Sequence, residues 1–194
     1  LGAASCGRVP DQFYASAEMG TKIIRVEVKN AGEVATKLIG TTGSVGCISM
    51  ALSPSGNLYS MCGPGAGAPG SQQLASIDVA TGQAKPFGMV VDGLTVMALK
   101  FAPDGTLYAA GDSKSSSPTF NSLYTVDPKT GAFMRVGSTG AAAFLMDFAF
   151  DPQGTMYAAS SNTLYTIDRK SGVATRVADF VGGSAIMGLA FGAG

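Results

Sequence analysis

The sequence predicts an all-β fold: a β-propeller of four four-stranded blades. Either the ring is closed by the C-terminal strand joining the N-terminal blade, or the chain is half of an eight-bladed ring. Three observations predict it. The stretch Phe150-Asp-Pro-Gln-Gly-Thr-Met-Tyr-Ala-Ala has close copies in Phe101-Ala-Pro-Asp-Gly-Thr-Leu-Tyr-Ala-Ala and Leu52-Ser-Pro-Ser-Gly-Asn-Leu-Tyr. A second motif, Leu164-Tyr-Thr-Ile-Asp-Arg-Lys-Ser-Gly, recurs as Leu123-Tyr-Thr-Val-Asp-Pro-Lys-Thr-Gly and Leu74-Ala-Ser-Ile-Asp-Val-Ala-Thr-Gly. The two motifs keep phase: Tyr59, Tyr108 and Tyr157 fall 49 residues apart, and Tyr14 lies 45 before Tyr59. A self-similar period of about 40–50 residues with four strands per unit marks a propeller blade. A two-sheet sandwich also places short strands between glycine turns, but it does not repeat such a unit internally.

The last unit gives the elements in order. Met146, Phe148 and Phe150 alternate with smaller or polar residues, the period of a strand with two distinct faces. Asp151-Pro-Gln-Gly then turns the chain. Pro152 carries the φ of a type I first corner, and Gly154 takes the positive φ that follows. The second strand is 155–159, the third 163–167 after a Ser-Ser-Asn link, and the fourth 173–177 after a turn ending at Gly172. The first unit is degenerate, with Lys22 to Val28 as its third strand.

The blades are expected at 8–46, 47–95, 96–144 and 145–183, forming one domain over 1–194. Met187-Gly-Leu-Ala-Phe repeats Met146-Asp-Phe-Ala-Phe, so 185–191 reads as a first strand without a blade of its own. The first blade begins at its second strand. Joining the two hides two sheet edges at once.

Composition narrows the function classes. Hydrophobic residues make up 46% and charged residues 13%, with Lys+Arg 13 against Asp+Glu 13. A balanced, sparse charge argues against nucleic acid or an anionic membrane as partner. No apolar run is long enough to span a bilayer. The chain opens Leu1-Gly-Ala-Ala-Ser without an initiator Met, as expected of a processed or trimmed product.

Three cysteines are present. Cys47 on the first strand of the second blade and Cys62 on its hairpin partner sit within about one residue of facing each other, so a bridge is reasonable geometrically. The alternative is two buried small residues. Cys6 is left free, paired with another chain, or a competitor for Cys62.

Catalytic signatures are absent from the sequence. It has no His, which removes the commonest general base and metal ligand. The metalloprotease, EF-hand, paired-cysteine and nucleophile-elbow motifs are not found. The glycine-rich run Gly63-Pro-Gly-Ala-Gly-Ala-Pro-Gly lacks the lysine of a phosphate loop and reads as a flexible connection. Asp78, Asp127 and Asp168 recur at the third-to-fourth turn and are expected to bond turn amides rather than a metal. The tyrosine column reads as packing between blades. Ile48, Met97, Met146 and Met187 form a column expected to plug the axis. Lys100 and Asp147 interrupt the innermost strands, and a charge there must be paired or wet. They are expected either to pair with each other or line a wet channel mouth, or to form a small polar site on the axis.

The two faces of the ring differ. The tight turns all fall on one face, whereas the loops Gly63 to Gln73 and Asp112 to Asn121 lie on the other. Long loops on a rigid frame are where binding usually resides. Gln72, Gln73, Lys114, Ser115 and Phe120 are therefore the candidate binding residues, with Lys100 and Asp147 on the axis as the next choice.

The Leu-Tyr-Thr-Ile-Asp-x-x-Ser/Thr-Gly turn, preceded by Phe-x-Pro-x-Gly-x-Leu-Tyr, resembles the repeats of secreted bacterial-type propellers near the NHL-like class. That resemblance covers nearly the whole chain and is specific for architecture. It implies an extracellular or periplasmic location and supplies no catalytic motif or cofactor. The expectation is a non-enzymatic extracellular binding or assembly module that uses its long-loop face. Its partner would be a protein or glycan, or a further copy of itself, with no nucleic acid and no transmembrane segment. The alternatives are a structural subunit of an extracellular polymer and a metal-dependent propeller hydrolase or lactonase with its site on the ring axis.

Overall fold

The computed structural model describes residues 12–30, 33–43, 45–64, 71–112, 121–181 and 186–189. All regular structure there is β, and the sheets are arranged as a four-bladed propeller. The first blade contains β1 (Gln12–Ala17), β2 (Lys22–Asn30) and β3 (Glu33–Thr41). The second is β4 (Val45–Leu52), β5 (Leu58–Pro64), β6 (Ser71–Ile77) and β7 (Ala84–Asp92). The third is β8 (Thr95–Phe101), β9 (Leu107–Asp112), β10 (Ser122–Val126) and β11 (Phe133–Ser138). The fourth is β12 (Asp147–Phe150), β13 (Met156–Ala159), β14 (Thr163–Ile167) and β15 (Ala174–Asp179). Each blade is an antiparallel meander, and the second to fourth each show four strands.

The hairpin turns follow from their residues. In the fourth blade Asp151 and Thr155 close the turn, with the Asp151 N–H on the Thr155 carbonyl at 3.1 Å, and Gly154 takes φ 83°. The Asp151 carboxylate also accepts the Thr155 N–H at 2.7 Å. At the third-to-fourth turns, Asp78, Asp127 and Asp168 accept the backbone N–H of Ala80, Lys129 and Lys170 at 2.8, 2.8 and 2.7 Å. Hydrogen bonds of this kind, led for Asp168 by the Ser171 N–H at 2.9 Å, favour the ionised form and hold all three carboxyls below the usual carboxylate range.

Period-two alternation gives each blade two packing faces. The third blade directs Leu99 and Leu107 into a cluster with Met61 and Leu74 of the second. It directs Ala98, Tyr108 and Leu123 into another with Phe148 and Met156 of the fourth. A third cluster joins Ile23 of the first blade to Leu58 and Ala75 of the second. The tyrosine column falls in these seams: Tyr59 meets Phe101 of the next blade at 5.7 Å between ring centroids, and Tyr108 meets Phe150 at 6.1 Å.

Glycine sets how closely the blades approach. Gly40, Gly88 and Gly137, on the outer strands, each lie against the turn glycine of the following blade: Gly82, Gly131 and Gly172. A Cβ on Gly40 would come within 1.9 Å of the Thr81 carbonyl oxygen, and one on Gly137 within 2.0 Å of that of Ser171.

Cys47 and Cys62 are direct register partners on β4 and β5 and are bonded as a disulfide. Cys6 lies outside the described residues. Of the expected closing strand 185–191, residues 186–189 are described, and among the described residues they form no ladder with β1. The Ile186 N–H donates to the Ser161 carbonyl at 2.9 Å, just as the Cys47 N–H donates to that of Gly20 at 3.0 Å. The segment thus begins where the innermost strand following the fourth blade begins.

Candidate functional site

Two adjoining clefts open at the axial, tight-turn end of the inner strands. The larger, about 440 Å³, lies between the ends of β4, β8 and β12, with Leu52, Lys100, Phe101, Ala149 and Phe150 among its walls. The smaller, about 300 Å³, extends toward the first blade past Phe13, Tyr14 and Met50. Leu52, Lys100 and Phe101 line both. Lys100 stands next to last on β8, opposite Tyr108 of β9, so the strand end projects it at the mouth of the turn.

Where the third blade has Lys100, the second and fourth have Ala51 and Ala149, both buried. Among these described equivalents Lys100 is the one charge beside small apolar side chains. Among the described residues it has no ion-pair partner. Lys100 is half-buried, and an ammonium beside hydrocarbon walls attracts an anionic group.

The expectation that Asp147 pairs with Lys100 is not met. Asp147 opens β12, two positions back from the Lys100 equivalent, roughly 7 Å along the strand. Its Oδ2 accepts the Leu189 N–H at 2.9 Å. Asp147 therefore anchors the segment that follows the fourth blade.

The long-loop residues fare differently. Gln72 is 1% exposed, and its Oε1 accepts the Val96 N–H of the next blade at 2.6 Å. It acts as a tie between blades, because an unpaired strand-start amide would otherwise be buried. Gln73 is half-buried and donates to the Gly88 carbonyl at 3.0 Å. Lys114, Ser115 and Phe120 lie outside the described residues. Of the methionine column, Met97 and Met146 are half-buried while Met187 is 64% exposed.

Arg169 carries no signal in its own repeat, because its counterparts are Pro128 and Val79. It reaches from the fourth blade to the third. Its Nε donates to the Tyr108 hydroxyl at 3.2 Å, and its guanidinium stands 5.2 Å from the Tyr108 ring centroid and 5.8 Å from that of Phe150. It also pairs with the Asp104 carboxylate. The Arg169 hydrogen bond, with the Thr106 backbone N–H second, holds the Asp104 carboxyl down at about 2.

Architecture and cleft together define a repeat propeller with an axial opening in which Lys100 is the cation among the described lining residues. The chain belongs to the family described as a repeat of unknown function (DUF6923), whose model matches residues 12–194. No curated protein sequence matches it. Solved structures share the fold at low identity. A gluconolactonase of Xanthomonas campestris is 13% identical with a TM-score of 0.54, over 84% of this chain and 60% of its own. The calcium-binding protein regucalcin of Agrobacterium tumefaciens is 14% identical with a TM-score of 0.61, over 94% of this chain and 61% of its own. The PQQ-bound aldose sugar dehydrogenase of Streptomyces coelicolor is 15% identical with a TM-score of 0.58, over 94% of this chain and 69% of its own. The chain thus spans roughly three fifths to seven tenths of their length.

These likenesses overturn the expectation of a non-enzymatic module working through its long-loop face. The similar propellers include a gluconolactonase and a sugar dehydrogenase. The two clefts lined by Lys100 open at the tight-turn end of the inner strands.

Proposed function

We propose that the chain forms part of a lactone-hydrolysing propeller whose substrate sits on the axis at Lys100. The observation that carries this reading is the unpaired Lys100 ammonium at the head of an otherwise apolar cleft. The likeness to a gluconolactonase fold supports the reaction class. In lactone hydrolysis, water adds to the carbonyl carbon, the ring C–O bond breaks, and the ring oxygen leaves with a proton as an alcohol. Negative charge builds on the carbonyl oxygen and ends on a carboxylate. A fixed ammonium beside that oxygen stabilises the first and binds the second.

A catalytic zinc needs three converging protein ligands. Among the described residues no group of three His, Cys, Asp or Glu side chains converges. The nearest axial carboxylate, Asp147, is engaged by the Leu189 amide. The described side chains do not supply a zinc site, and no step is assigned to a metal. The disulfide supports placement of the protein in an oxidising compartment, outside the cytoplasm. Among the described residues no helix is long and apolar enough to cross a membrane.

Acid release from a panel of γ- and δ-lactones, followed by pH-stat, tests the reading. Turnover above the buffer rate is expected, falling roughly 100-fold in Lys100→Met, the usual loss on deleting one oxyanion partner. A protein that hydrolyses no lactone of the panel above the buffer rate overturns it.

A further inference from the structure

Resting on that reading, we infer that the axial site takes lactones with a hydrocarbon body rather than polyhydroxylated sugar lactones. The walls decide this. A sugar ring presents a hydroxyl on nearly every carbon, and each must find a polar partner on leaving water. Around Lys100 the side chains are Leu52, Phe101, Phe150, Phe13 and Met50. The polar side chains among them are the Ser53 hydroxyl at the rim of one cleft and the Tyr14 hydroxyl in the other.

The apolar surface is also open to a ligand. Leu52 is 51% exposed and Phe13 is 41% exposed, and Leu52 lines both clefts while Phe13 lines the smaller. The two clefts meet at Lys100, so a ligand headed by a carbonyl or carboxylate there can lay an alkyl or aryl tail along either wall. One charge and two hydrocarbon arms fit an acyl-type hydroxy acid.

The experiment pairs turnover with binding. Hydrolysis of δ-decalactone and glucono-δ-lactone is followed by pH-stat, and binding of 5-hydroxydecanoate and gluconate by calorimetry. Each buried methylene improves binding roughly fourfold, so δ-decalactone is expected to be preferred in kcat/KM by at least about tenfold. Leu52→Asn, at an exposed position, narrows that preference through KM, whereas Lys100→Met abolishes binding of 5-hydroxydecanoate. Equal or better use of glucono-δ-lactone overturns the inference and leaves the hydrolase reading intact. Lysine-dependent binding of 5-hydroxydecanoate without turnover of either lactone upholds the apolar anion site and removes the hydrolase reading. Failure of both acids to bind, together with no turnover of either lactone, removes both.

Discussion

The glycines at the seams show what a single missing methyl group does here. Gly137 has an ordinary backbone conformation; it is small because the Ser171–Gly172 turn of the next blade lies against it. Gly137→Ala is expected to destabilise the protein by about 1–3 kcal/mol, the usual range for overpacking against atoms that cannot yield. Gly56→Ala makes the control, since no atom lies within 4 Å of its would-be Cβ and only the positive φ of 86° is penalised. It should lose about 1 kcal/mol. Chemical denaturation separates the two, and equal losses would show that the close approach is not what matters. The fourth blade has Ala178 where the others have Gly40, Gly88 and Gly137, so its outer strand does not offer the same approach. The turn glycines, by contrast, were legible beforehand, since Gly154 and Gly172 close motifs that recur in phase. The seam glycines were not, because their constraint comes from another blade. Lys100 was legible as an interruption of an apolar strand. Its isolation from Asp147 was not, because that depends on a residue 42 positions away from Asp147.

Two elements act as clamps. The first is the disulfide across β4 and β5, separated by 15 residues in sequence. Here the repeat register pointed correctly, since both cysteines were placed on facing strands. Replacing both by Ala is expected to lose about 3 kcal/mol, the value for a loop of that length. Non-reducing peptide maps of the parent should show Cys47 joined to Cys62, and a bridge from Cys6 to either would contradict the pairing. The second clamp is the Arg169 contact across the seam of the third and fourth blades. Asp104 is half-exposed, so its pair contributes little, about 0.2–1 kcal/mol. Stacking of the guanidinium on Tyr108 and Phe150 adds about 0.5–1 kcal/mol. The two contributions separate by pH. The folded carboxyl of Asp104 titrates at about 2, below its ordinary value of 3.8. Its contribution is complete above the unfolded value and is lost as the pH falls from there toward 2. Between pH 5 and pH 2.5 the melting temperature of the parent should therefore fall more than that of Arg169→Met. Parallel curves would show that the carboxylate pair contributes nothing.

At the scale of the molecule, blades touch mainly their neighbours, so stability is distributed along the array rather than pooled in one core. The third blade has a core on both faces. Leu99 and Leu107 are fully buried on one side, and Ala98 and Leu123 on the other. The first blade is less well covered. Its outer strand β3 is largely exposed, Val34 is 61% and Leu38 52% accessible, and Ile23 is its fully buried apolar residue among those described. The outer strand of the fourth blade, β15, is likewise exposed along most of its length. Local opening free energies follow buried apolar contact. Amides of β1–β3 and β15 are therefore expected to exchange first, through openings that leave the third blade closed. Those of β8–β10 should exchange last, near the global unfolding free energy. Hydrogen exchange read by peptide mass resolves the four blades, and Gly137→Ala should speed exchange in the third and fourth blades while leaving the order of the first unchanged. Uniform protection across all four blades would mean that the array unfolds as one unit, and that the seams couple the blades more tightly than their separate cores suggest.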